Sequence, residues 1–135
     1  MPSFGLRSVT CLSQCDPRLQ AIAAEAIKRI DFSVIVGSRS NADQQAAFDA
    51  GRSLLPPGKS QHNKVPSLAL DFIPSPFVDA EWKDTGKFRE IARVLCEVAA
   101  EQGVQVRWGG TWSNNVDDPL SQHLCDADHF EIHGV

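Results

Sequence analysis

Two short segments far apart in the chain alternate apolar and polar residues, and each carries metal-binding side chains on its polar side. In Ser67–Phe72, Leu68, Leu70 and Phe72 fall on one face, with Ser67, Ala69 and Asp71 on the other. In His129–His133, Phe130 and Ile132 share a face, and His129, Glu131 and His133 point away from it. Alternation of this kind marks strands with one side packed against a core. The chain must therefore bury the apolar faces while displaying Asp71, His129 and Glu131 opposite them. An unpaired carboxylate beside a packed sheet costs about several kcal/mol, so Asp71 needs a partner. A salt bridge to an arginine such as Arg39 would satisfy it. So would a metal ion, for which Ala69 leaves room.

Other segments supply the covering layer. Asp16-Pro17 reads as an N-cap with proline at the first helical position, and Leu19, Ile22, Ala23, Ala26, Ile27 and Ile30 follow at helical spacing. Phe32–Val36 is short, β-branched and ends at Gly37, the pattern of a strand. Asn41 is expected to cap a second helix running to about Ala50, with Gly51 as its stop. Leu54–Lys59, with two prolines and a glycine, is loop. Pro74 and Pro76 end the strand begun at Ser67. A third helix covers roughly Lys87–Gln102 and stops at Gly103, and Val104–Trp108 is a strand leading into Gly109-Gly110. Helices and short strands are mixed, so the class is α+β with about three helices. The 135 residues suit one domain, 1–135, large enough to make a core without disulfides.

Charge and hydropathy remove several functions. A net charge of −4 with no Lys/Arg cluster gives no footprint for nucleic acid. No stretch approaches the roughly 20 apolar residues that span a bilayer. The N-terminus lacks the basic-then-apolar plan of a signal peptide, so synthesis in the cytoplasm is expected. Of the four cysteines, Cys11, Cys15 and Cys125 with His123 make a poorly spaced structural zinc set, and free thiols are the better expectation.

The remaining polar residues are weighed against His129 and Asp71. His62 follows a Pro/Gly loop, where a lone histidine is more often solvated than a ligand. Together, however, His62, Asp71 and His129 amount to two imidazoles and a carboxylate, the donor set of a catalytic zinc site with an open position. Asp126, three residues before His129, is in reach of such a site as general base; its alternative is a turn residue, as for Asp128. Glu131 suits a partner that orients a ligand, or a structural ion pair. His133 is read as surface. Arg39, after the strand ending in Gly37-Ser38, suits a carboxylate clamp or oxyanion stabiliser, or simply a partner for Asp71 or Asp49. Ser60 opens the His62 segment, Gln44 or Gln45 faces the cleft behind Arg39, and one of Trp108 and Trp112 is core while the other walls a substrate site.

These pieces in this order resemble the zinc D-alanyl-D-alanine carboxypeptidase superfamily, and within it the phage-type L-alanyl-D-glutamate endopeptidases. The resemblance runs through Gly37-Ser38-Arg39-Ser40, Gln44-Gln45, Gly51-Arg52-Ser53, Ser60-Gln61-His62-Asn63, Pro66–Asp71, Trp108–Trp112 and Asp126–Glu131, nearly the whole chain. It implies a compact hedgehog/D-Ala-D-Ala-peptidase-like fold with the metal on the face of a small antiparallel sheet. It implies His62, Asp71 and His129 as zinc ligands, Asp126 as catalytic carboxylate, and Arg39 as the group that polarises the scissile carbonyl. Two departures stand out. The gap of nine from His62 to Asp71 is two longer than usual, to be absorbed by a loop excursion around Lys64-Val65-Pro66. Asp128 stands where a proline is usual, and a second carboxylate there is expected to raise the pKa of Asp126.

The implied activity is zinc-dependent cleavage between L-Ala and D-Glu in the stem peptide of peptidoglycan. That points to a monomeric phage or prophage endolysin with no membrane insertion, released to the periplasm and wall by a separate holin. The rival chemistry is a D,D-carboxypeptidase removing terminal D-Ala. A rival of another class is a non-hydrolytic, metal-containing module that binds a peptide or partner protein; it has no use for Asp126.

Overall fold

The computed structural model describes residues 3–53, 55–77, 84–122 and 125–133. Among these residues four α-helices are formed: α1 (Leu6–Ser13), α2 (Pro17–Ala26), α3 (Asn41–Asp49) and α4 (Thr85–Glu101). The strands are β1 (Phe32–Val36), β2 (Ala69–Pro74), β3 (Val106–Trp108) and β4 (His129–Ile132). They make one sheet in the order β1-β2-β4-β3, with every neighbouring pair antiparallel. The α+β class and small antiparallel sheet agree with the sequence reading, but there is one helix more than expected.

The additional helix is α1. Its N-cap is Gly5 with no side-chain cap, and it buries only Ser8 and Leu12 while Leu6 and Val9 stay exposed. At eight residues the helix is shorter than the roughly 10–12 over which periodicity separates a helix from other structure, and its apolar residues Leu6 and Val9 face away from the core. Its docking is instead polar, with the Val34 amide donating to Ser8 Oγ at 2.9 Å. The helix also passes so close to β1 that a Cβ on Gly37 would lie 2.2 Å from the Cys11 carbonyl oxygen. Helix α2 ends at Ala26, four residues before Ile30, the last residue of the expected stripe, and the other boundaries shift by a residue or two. Asp16 caps α2 as expected, accepting from the Arg18 amide. The cap of α3 is Ser40, whose Oγ accepts from the Asp43 amide at 3.1 Å, and Asn41 is the first helical residue. Residue 54, part of the expected loop 54–59, lies outside the described residues.

The core sits between the sheet and the helices α2 and α4. Leu70 and Phe72 from β2, Phe130 and Ile132 from β4, and Trp108 from β3 meet Phe88, Ile91, Leu95 and Val98 of α4 and Leu19, Ile22 and Ala26 of α2, all within 2% of full burial. Burying such side chains contributes about 1.5–3 kcal/mol each, which fixes the register of the strands that carry them. With Leu70, Phe72, Phe130 and Ile132 turned inward, period two turns Asp71, His129 and Glu131 to the opposite face. Among the described residues, no helix is long and apolar enough to cross a membrane.

Candidate metal centre and cleft

Strand pairing assembles the site. Asp71 is the cross-strand partner of His129, and Glu131 lies between Ala69 on one side and Arg107 on the other. Directly opposed residues have side chains within contact range. The ladder between β1 and β2 is irregular between Val34 and Val36, beside Asp71, where a bulge re-aims the edge of the sheet.

His62 comes from a loop, and three features hold it there. Residues Gln61–Asn63 form a single helical turn capped by Ser60, whose side chain accepts from the His62 amide at 3.2 Å. The Arg39 amide donates to the His62 carbonyl at 2.8 Å, tying the turn to the end of β1. The Leu68 amide donates back to the Gln61 carbonyl at 3.1 Å, closing the intervening residues into an excursion with Val65 91% exposed. The two residues that lengthen the His62–Asp71 gap therefore bulge into solvent, and the two side chains still meet.

The donor atoms of His62, Asp71 and His129 lie within 4.8 Å of one another, and all three side chains are buried. Their hydrogen bonds fix which ring nitrogens face inward. His62 Nδ1 is 2.8 Å from the Gly37 carbonyl, which only accepts, so Nδ1 carries a proton and Nε2 is the nitrogen turned toward the cluster. That Nε2 faces Asp71 Oδ1 at 3.0 Å. Likewise His129 Nε2 donates to Glu131 Oε1 at 2.7 Å, leaving Nδ1 at 3.5 Å from Asp71 Oδ1 and 3.9 Å from Asp126 Oδ2. Acceptors converging like this require positive charge between them, whether a proton or a cation. The residues fit a divalent cation on that ground, each imidazole braced from behind as a ligand usually is.

The electrostatics record the same demand. Burial disfavours charge on Asp71, yet the His62 and His129 imidazoles hold its carboxyl well below the usual range. Burial likewise opposes the His129 imidazolium, but hydrogen bonds to Asp71 and Glu131 prevail and raise its pKa to about 10. Glu131 is kept below the usual carboxylate range against its burial by His129 and Arg107. Asp128, the second carboxylate of this turn, carries a large shift of its own. Burial, then the Asp71 charge and a hydrogen bond with Asp126, push the Asp128 carboxyl up to about 10.

Arg39 reaches the cluster through its side chain. Its Nη1 donates to Gln44 Oε1 at 3.0 Å and its Nη2 to Asp71 Oδ2 at 3.4 Å. Gln44 is fully buried, and its amide also donates to Ser53 Oγ and the Leu55 carbonyl, so it braces Arg39 from behind. Gln45 pairs with Asp49. Glu131 accepts from His129 Nε2 and pairs with Arg107 Nε at 3.0 Å. His133 is exposed, 3.8 Å from Glu131.

A cavity of about 310 Å³ opens over this face, lined among others by Leu55, Trp112, Arg107 and Ser121. A second hollow of about 790 Å³ contains Asp71, Asp128, Arg52 and Asp43. Arg39 and Asp126 line both, so the two hollows adjoin at that pair. Trp108 and Trp112 differ in burial. Trp108 is buried, with its indole donating to the Ala127 carbonyl, whereas Trp112 lines the cavity with its ring 5.2 Å from that of His129. Trp112 adopts φ 54°, a left-handed conformation rare for a bulky side chain. Gly109 lets the turn that carries Asp126 and His129 approach, since a Cβ there would lie 2.3 Å from the Asp126 carbonyl oxygen and 2.8 Å from His129 Cβ.

The four cysteines are free. Cys15 is buried, its thiol pushed up to about 12 chiefly by burial, and Cys125 is exposed. His123 of the alternative zinc set lies outside the described residues, and the only candidate metal cluster among the described residues is His62, Asp71 and His129. The residue that sequence reading passed over is Arg107. Its place between inward-facing Val106 and Trp108 puts it on the site face, a signal available from alternation alone.

Comparison with known proteins agrees with this architecture. The crystal structure of the Serratia marcescens L-Ala D-Glu endopeptidase ChiX superposes with a TM-score of 0.72 at 28% identity, over 98% of this chain and 91% of that one. No curated protein sequence matches the chain. The family model for the phage L-alanyl-D-glutamate peptidase matches residues 2–133, and the chain belongs to that family.

Proposed function

We propose that this protein is a zinc-dependent endopeptidase that hydrolyses the L-Ala–D-Glu bond of the peptidoglycan stem peptide, the chain acting as one catalytic domain. The observation that carries the reading is the convergence of three buried donor atoms within 4.8 Å beside Asp126, in a chain of this family. His62 Nε2, Asp71 and His129 Nδ1 would hold the metal. Two imidazoles and one carboxylate suit zinc, which when bound supplies Lewis acidity toward a carbonyl and lowers the pKa of water to about 7.

The chain's own groups perform the rest. Asp126, 29% exposed, stands where both hollows meet and accepts the proton of the attacking water. It then delivers that proton to the departing amine of D-Glu. Arg39, braced by Gln44 and Asp71, holds a fixed positive charge toward the oxyanion that develops at the L-Ala carbonyl. Trp112 and Leu55 offer apolar walls that exclude water on one side. A D,D-carboxypeptidase would use the same groups, and membership of the phage peptidase family favours the endopeptidase. In a lysis setting the protein acts as a monomer in the wall, reaching it through a separate holin.

Paired variants test the assignment. His129→Ala is expected to lose metal and activity together. Asp126→Ala is expected to keep its metal, measured by atomic emission, and to lose activity by at least about a hundredfold. Full activity in Asp126→Ala would remove it as the base.

A further inference from the structure

One cation on the cavity wall has donors to spare. Arg107 on β3 donates through Nε to Glu131 Oε2 at 3.0 Å, and its guanidinium carbon lies 5.0 Å from the centre of the Trp112 ring. One edge and one face of the fork are thereby fixed. Its two terminal nitrogens make no hydrogen bond among the described residues, although the side chain lines the cavity together with Trp112, Asp126 and His129. Arg39, the other cation on that wall, is already engaged by Gln44 and Asp71. Held at Nε and stacked on a ring, Arg107 is ready to take a planar carboxylate with little further loss of side-chain freedom.

The substrate class supplies a matching anion, and here the argument rests on the L-Ala–D-Glu reading. D-Glu continues the stem peptide through its γ-carboxyl, so its α-carboxylate remains free. That carboxylate is attached to the carbon bearing the scissile nitrogen, which makes it the free acid nearest the bond to be cut. Arg107 is correspondingly near the metal cluster, joined to His129 through Glu131 by hydrogen bonds of 3.0 and 2.7 Å. We propose that Arg107 is a specificity residue that binds the α-carboxylate of D-Glu, so that the enzyme distinguishes stem peptides carrying D-Glu from those in which this group is a carboxamide. A carboxamide presents one acceptor and no charge, and its NH2 faces the guanidinium donors unfavourably.

The test compares two synthetic N-acyl-L-Ala-γ-D-peptides, identical except for D-Glu or D-isoglutamine, as substrates for the metal-loaded protein. The wild type is expected to prefer the carboxylate by about ten- to a hundredfold in kcat/KM, the range carried by a charge-assisted hydrogen bond. Arg107→Gln should lose most of that preference, chiefly by raising KM for the D-Glu peptide. Arg107→Lys, which keeps the charge without the fork, should restore part of it. Equal wild-type rates on the two peptides would overturn the proposal without touching the endopeptidase reading. So would an Arg107→Gln variant that slows both peptides alike, as a residue serving only to hold Glu131 and Trp112 would do. Should that variant fail to fold, the wild-type ratio and Arg107→Lys still decide. A wild type that cuts neither peptide after L-Ala would instead refute the endopeptidase reading itself.

Discussion

Replacing Gly109 with alanine adds one methyl group at the closest approach between the sheet and the turn that carries Asp126 and His129. In the present geometry that carbon would sit 2.3 Å from the Asp126 carbonyl oxygen and 2.8 Å from His129 Cβ. Carbon–oxygen contacts relax to about 3.3 Å, so the turn must retreat by roughly 1 Å. The retreat is resisted on both sides of Gly109. Its amide donates to the His129 carbonyl at 2.7 Å, and its carbonyl accepts from the Asp126 amide at 3.0 Å. A displacement of that size at a catalytic group costs about a hundredfold in rate. Overpacking should cost about 1–3 kcal/mol of stability as well. The assay is kcat/KM on purified peptidoglycan at saturating zinc, with the thermal midpoint measured in parallel. Gly5→Ala serves as control, because its added methyl meets nothing within 4 Å. A folded Gly109→Ala enzyme with activity within about twofold of wild type would refute the claim that this contact sets the position of the base.

Three further predictions concern the metal and the proton. Glu131→Gln keeps the shape behind His129 but removes the charge that orients it, and should weaken zinc affinity by about ten- to a hundredfold in a chelator competition. In the metal-free protein the His129 pKa of about 10 exceeds its ordinary value of 6.5, so its contribution to stability is full below pH 6.5 and is lost as pH rises toward 10. Asp128, likewise raised to about 10 from 3.8, loses stability in the same direction, whereas lowered Asp71 matters only in acid. Denaturant midpoints of the metal-free protein should therefore fall between pH 6.5 and 10. At pH 8, calorimetry in buffers of different ionisation enthalpy should show about one proton released per zinc bound. Zinc binding with no proton release would contradict the protonated state assigned to His129.

Much of the site face was legible because period-two alternation is enforced by burial. Once Leu70, Phe72, Phe130 and Ile132 must face α2 and α4, Asp71, His129 and Glu131 have one place to go. Alternation does not reveal which strands are neighbours, so the pairing of Asp71 with His129, and of Arg107 with Glu131, comes only from the sheet order. His62 was legible by its flanks rather than by periodicity, since a loop histidine is positioned by hydrogen bonds such as those to Ser60 and Gly37. Helix α1 stayed hidden because it is only eight residues long, and a serine and a close backbone approach help to hold it where sequence gives no sign of them. The raised pKa of Asp128 was not legible, because burial is its largest cause and sequence carries no measure of burial at a turn.

The most direct test of the account is mass spectrometry of purified peptidoglycan after digestion by the zinc-loaded protein. The expected products are stem peptides that begin at D-Glu, with L-Ala left on the sugar. Release of terminal D-Ala with the L-Ala–D-Glu bond intact would contradict it, and so would the absence of any product from zinc-bound protein on walls bearing free D-Glu.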